Sequence, residues 1–187
     1  MPIEEIKAAL VGRWVSLATE VRPSKNPDGT LKPFFLTRNF VYHPEDRFEL
    51  TVVNYADDFG KVPIMSLDLA GTMTWRGEHP IAPGAQKVDF AADGTYAVTP
   101  LVQGFADLLN RVVAGGGYGR WEVGAKQDIL RKPFPPFALT EGQVFKEYDL
   151  VYVARELLFW GARHIDGRGF DTEANRPTNL QIPLVRS

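Results

Sequence analysis

The chain has 187 residues, 44% of them hydrophobic and 12% aromatic, enough apolar material for the core of one domain spanning 1–187. A formal net charge of −2, with no basic run longer than two residues, excludes a general attraction to nucleic acid or anionic membrane. The absence of cysteine excludes a disulfide scaffold and thiol chemistry.

Pro2–Leu10 predicts a short amphipathic helix, with Pro2 and two glutamates at its positive end and Ile3, Ile6 and Leu10 on one face. Gly12 ends it, and Arg13–Leu17 begins a strand carrying Trp14. The polar loop Ser24–Thr30 holds an Asn-Pro-Asp-Gly turn. Phe34–Asp57 then reads as a long hairpin, two alternating runs joined at His43-Pro-Glu-Asp46. Phe34, Leu36, Arg38, Phe40 and Tyr42 share one face of the first arm, so one guanidinium sits in a row of large apolar side chains. Ile64–Trp75 is the longest strand candidate. Ala85–Ala91 follows, and Asp93-Gly94 predicts a reversal into Thr95–Thr99.

Leu101–Val113 predicts the one interior helix, with Val102, Phe105, Leu108, Leu109 and Val112 as its apolar face and the Gly115–Gly117 run as its stop. Trp121–Ile129, Gln143–Ala154, Glu156–Arg163 and Thr178–Val185 complete the strands. The fold expected is mainly all-β. It is an antiparallel, lipocalin-like β-barrel or strongly curved sheet of about eight to ten strands, with a short N-terminal helix and one interior helix. A barrel of that size either fills its lumen or holds one small ligand. The first residues lack the pattern of a signal peptide, and no apolar run nears the ~20 residues that span a bilayer. A cytoplasmic protein without a membrane span is expected.

His43, His79 and His164 lie far apart, without metal-ligand spacing, and the Gly115–Gly119 run follows a helix and lacks the lysine of a phosphate loop. Neither a metal nor a cofactor is expected. The chemistry left is in charged residues set within apolar strands: Glu20, Arg22, Arg38, Asp68, Asp128 and Arg163. Such residues form closed ion pairs, lie on a solvated face, or orient a polar head group in a lumen. Pro133–Phe137 is either a stiff edge loop or a lid over a barrel mouth.

Several segments form an ordered set. They begin with Leu10-Val-Gly-Arg-Trp-Val-Ser16, Glu20-Val-Arg-Pro23, Phe35-Leu-Thr-Arg38 and Tyr55-Ala-Asp57. They continue with Val98-Thr-Pro100, Gly119-Arg-Trp-Glu-Val-Gly124, Gln127-Asp128, Glu147-Tyr148, Leu158-Phe-Trp-Gly161, Arg176-Pro177 and Gln181-Ile-Pro-Leu-Val185. In that order they resemble the APCDD domain family, named for the adenomatosis polyposis coli down-regulated proteins. Animal members are membrane-anchored extracellular inhibitors of Wnt signalling, built from β-barrel domains with a hydrophobic pocket for lipid. The resemblance implies a barrel with an apolar pocket. This chain looks like a single-domain, cysteine-free relative.

The reading that follows is binding of a hydrophobic small molecule or lipid in the lumen. Glu20, Arg22, Arg38 and Asp128 would form the polar end, and Tyr42, Tyr55, Trp75, Trp121 and Tyr148 would supply walls. The alternative is a cofactor-free cyclase or isomerase acting on a polyketide- or terpenoid-like substrate in the same pocket. A hydrophobic ligand is the partner expected, with no nucleic acid; oligomeric state is open.

Overall fold

A computed structural model describes residues 2–113 and 115–187. Helix α1 is Ile3–Leu10, and the first strands are β1 Gly12–Ser16, β2 Glu20–Arg22, β3 Phe34–His43 and β4 Arg47–Tyr55. Then come β5 Pro63–Glu78, β6 Gln86–Pro100, α2 Gln103–Val112 and β7 Gln127–Asp128. The chain ends with β8 Lys146–Ala154, β9 Leu157–Trp160 and β10 Leu184–Arg186. Every strand pairing is antiparallel. Strand β1 pairs with both β10 and β3, which closes the eight strands β1, β10, β9, β8, β6, β5, β4 and β3 into a barrel. Closure leaves these strands no free hydrogen-bonding edge. The two short strands β2 and β7 are additions, on β3 and β6.

Strands β1 and β2 share the edge of β3 in succession. Gly12–Val15 pair with Tyr42–Asn39, and Glu20–Arg22 pair with Leu36–Phe34. Residues 17–19 carry the chain between the two stretches, opposite Arg38. Because side chains alternate, this register turns Glu20 and Arg22 inward beside Arg38.

The predicted reversal at Asp93-Gly94 does not occur; β6 runs unbroken from Gln86 to Pro100. Its ladder with β5 slips between Ala70↔Thr95 and Thr72↔Ala91, so three residues of β6 oppose Gly71 alone. Gly71 permits this, since a Cβ there would overlap the Ala91 carbonyl oxygen. The turn-forming pair thus makes a bulge that bends the barrel wall. The bend lets the first half of β6 pair with β8 and the second half with β7.

Helix α2 also differs from expectation. It buries Ala106 and Leu109, while Leu108 and Val112 are exposed, so the small alanine faces inward where larger neighbours were expected. The strand expected over Trp121–Ile129 shrinks to β7 because the chain turns first, the Ala125 N–H bonding the Glu122 carbonyl, and side chains hold the residues that lead into the turn. Asn110 bonds both the N–H and the carbonyl of Trp121, and Gln127 bonds Gly119 and Arg120. Among the described residues no helix is long and apolar enough to cross a membrane.

One half of the lumen is filled. Phe40 stacks on Tyr42 at 5.0 Å and on Trp160 at 4.5 Å, Trp160 stacks on Phe90 at 4.3 Å, and Phe48 meets Phe90 edge-on. Trp14, Val88, Val151, Leu158 and Leu184 are buried with them. The other half is not filled.

Candidate ligand-binding site

The open half is a cavity of about 500 Å³. Its apolar wall comes from alternate residues of three neighbouring strands: Leu36 of β3, Leu50 and Val52 of β4, and Met65, Leu67 and Leu69 of β5. These strands read as alternating in sequence, and the inward parity is the one that also carries Arg38. Tyr96 of β6 and the loop residues Phe137, Phe145 and Phe170 complete the rim. Phe137 reaches it because Pro135–Phe137 forms a 3-10 turn anchored by Phe134, which is wholly buried against Tyr118, Trp121 and Phe137. The Pro133–Phe137 segment therefore lies against the cavity and stacks Phe137 on Tyr96.

Between the filled and open halves sits a polar layer. Glu20 is buried, and its Oε1 accepts from Arg38 Nε at 2.9 Å and from Ser16 Oγ at 3.2 Å. Its Oε2 accepts from Gln181 Nε2 at 3.0 Å and Arg22 Nη2 at 3.5 Å. Arg38 lies over Trp160, 4.8 Å from guanidinium to ring centre, so the charge caps the aromatic stack. Arg22 lies over Phe170 at 5.6 Å. Arg22 Nε and Arg38 Nη2 are buried and have no acceptor among the described residues. Burial, and then the neighbouring Arg38, lowers the Arg22 pKa from its ordinary value.

Asp149 of β8 is fully buried near this layer. Its Oδ1 accepts from the backbone N–H of Leu150 at 2.7 Å and of Gly161 at 2.9 Å, while Oδ2 has no partner among the described residues. Burial pushes its pKa up to about 7; Glu147 adds to the shift, and Arg38 and Arg22 oppose it. On the cavity wall stand Lys146, Glu147, Arg163 and Asp171.

Of the residues singled out from sequence, Glu20, Arg22 and Arg38 converge here. Tyr42 points into the barrel but lies in the filled half, its hydroxyl without a partner among the described residues and its pKa raised well above the usual value by burial. Five others are elsewhere. Asp128 is exposed at the surface and pairs with Lys132, because the short β7 is an outer addition to the barrel. Tyr55 and Tyr148 have the outward parity of β4 and β8: one bonds the Thr37 hydroxyl, the other lies under Arg176. Trp75 extends past the bulge to bond Asp46 in a separate groove beside α1. Trp121 packs against Tyr118 and Phe134, its backbone held by Asn110 of α2.

Sequence reasoning missed Ser16, Gln181 and Asp149. Asp149 was accessible, since Glu147, Asp149, Val151 and Val153 alternate along one strand. Ser16 and Gln181 carried no local signal; closure of the barrel brings Gln181 to Glu20 across 161 positions.

These features define a class: a closed, antiparallel eight-stranded barrel with an apolar cavity above a buried ion cluster. The model of the family described as adenomatosis polyposis coli down-regulated 1 matches residues 3–120, and the chain belongs to that family. The matched stretch holds Glu20, Arg22 and Arg38 together with the strands of the apolar wall; Asp149, Gln181 and the rim from Phe137 onward lie outside it.

Proposed function

We propose that the protein binds a hydrophobic small molecule or lipid in the open half of the barrel. The observation that carries this reading is the cavity of about 500 Å³ under a wall of Leu, Val and Met side chains. Its size falls within the roughly 300–1,000 Å³ of small-molecule sites, and such sites combine an apolar lining with a few placed polar groups. The Glu20–Arg22–Arg38 layer supplies those groups at one end. Binding is favoured over cyclisation or isomerisation because Glu20 engages both oxygens with four donors, so this carboxylate presents no free lone pair to a substrate.

The uncharged fluorophore N-phenyl-1-naphthylamine tests this. It should brighten on saturable, one-to-one binding, and Leu67→Trp, which fills the wall, should weaken it at least tenfold. Equal binding by the filled variant would place the dye outside the barrel and remove the support.

A further inference from the structure

The polar layer is unbalanced in a way that specifies one end of the ligand. A carboxylate offers about four lone-pair sites, and Glu20 has filled them with Arg38, Ser16, Arg22 and Gln181. Among the described residues, the Arg38 side chain donates only through Nε and that of Arg22 only through Nη2. Two buried guanidinium groups therefore share one saturated acceptor, and Arg22 Nε and Arg38 Nη2 are left with none. Unmade hydrogen bonds of buried cations are among the more costly defects a fold retains. Those two nitrogens are enclosed, while Nη1 of each arginine makes no hydrogen bond among the described residues and is not enclosed, so it is the donor an acceptor in the cavity would meet.

Charge agrees with this count. The wall carries Lys146 and Arg163 against Glu147 and Asp171, two of each sign. The layer itself holds Arg22 and Arg38 against Glu20, an excess of one positive charge. Asp149 lies behind it, and burial favours its neutral form. Both arginines border the cavity.

We infer that the ligand is an amphiphile ending in a carboxylate, whose head is held by the guanidinium groups of Arg22 and Arg38 while its apolar part lies along Leu36, Val52 and Leu67. This rests on the reading of the lumen as a binding site. A singly charged, planar acceptor matches both the excess of one charge and the fork geometry of guanidinium donors.

Three probes of equal chain length separate the possibilities: dodecanoic acid, dodecan-1-ol and dodecylamine, each displacing N-phenyl-1-naphthylamine from the wild-type protein at about pH 6.5, below which Asp149 is mostly neutral. The acid should bind about ten- to a hundredfold more tightly than the alcohol, the range that charge-assisted hydrogen bonds supply, and the amine most weakly. In Arg22→Gln the acid should lose most of that advantage over the alcohol. An alcohol or amine that matches the acid would overturn the carboxylate assignment and leave lumenal binding standing. Saturable uptake of the dye with no displacement by any of the three would overturn both. The wild-type series needs no variant to fold.

Discussion

Glu20 ties the polar layer of the barrel together, accepting from Ser16, Arg22, Arg38 and Gln181. Among the described residues it is the sole carboxylate bonded to Arg22 and Arg38, and Gln181 of the C-terminal segment also ends on it. Removing its charge leaves two buried cations facing each other, whereas removing Arg38 leaves Arg22 to balance Glu20. Glu20→Gln is therefore expected to cost about 3–5 kcal/mol in urea denaturation, as for other broken buried pairs, and Arg38→Met clearly less. Adding Arg38→Met to Glu20→Gln should recover part of the loss by removing one stranded charge. Equal losses in the two single variants would show that the three residues act as separate pairs. Asp149 makes a pH prediction. Its carboxyl pKa is raised to about 7 in the fold, against an ordinary value of 3.8, so the folded state holds a proton that the unfolded chain releases. Its contribution is whole below about pH 4 and declines as pH rises to near 7, because the folded state binds more protons over that window. Asp149→Asn keeps an oxygen for the Leu150 and Gly161 N–H groups, so its stability should fall less than that of the wild type between pH 4 and 7. Parallel stability curves would contradict the assignment.

At the level of elements, the central hairpin was legible because its alternation is strict and its turn short: β3 and β4 end within two residues of the expected bounds. The face holding Arg38 follows from the same alternation. What alternation cannot report is whether Asp-Gly reverses a chain or bulges it. At Asp93-Gly94 the outcome is decided by the partner strand, where Gly71 admits the Ala91 carbonyl. Gly71→Ala should therefore cost about 1–3 kcal/mol by overpacking, although alanine is otherwise acceptable in a strand. A loss below about 0.5 kcal/mol, the level of ordinary surface changes, would mean that the bulge can open without Gly71. The Trp121 segment was misread for a related reason. Its apolar residues suggested a strand, but Asn110 occupies both backbone groups of Trp121 and the chain then turns at Glu122–Ala125. Those side-chain bonds are not a periodic signal.

For the whole molecule, the barrel was legible from strand number and spacing, but its closure was not, since it depends on β1 meeting both β3 and β10. Closure decides the site. It brings Gln181 and Ser16 to Glu20, turns Tyr148 outward, and leaves Asp128 on an outer strand. Glu20 and Asp128 were both expected at the polar end, because one carboxylate in an apolar segment looks like another until the strands are paired. Pairing on Leu36 brings Glu20 to Arg38, whereas Asp128 pairs with Lys132 outside the barrel. The division of the lumen into a filled aromatic half and an open aliphatic half follows the strands themselves. Phe40, Phe48 and Phe90 lie towards one end, and Leu36, Val52 and Leu67 towards the other. The central claim is that this open half receives an apolar chain. Its most direct test is a crystal structure of the protein with an ω-brominated dodecanol, read at the bromine absorption edge. The account predicts one anomalous peak per barrel, between the β3–β5 wall and Phe137. Bromine found only outside the barrel, with the lumen closed by its own side chains, would contradict it.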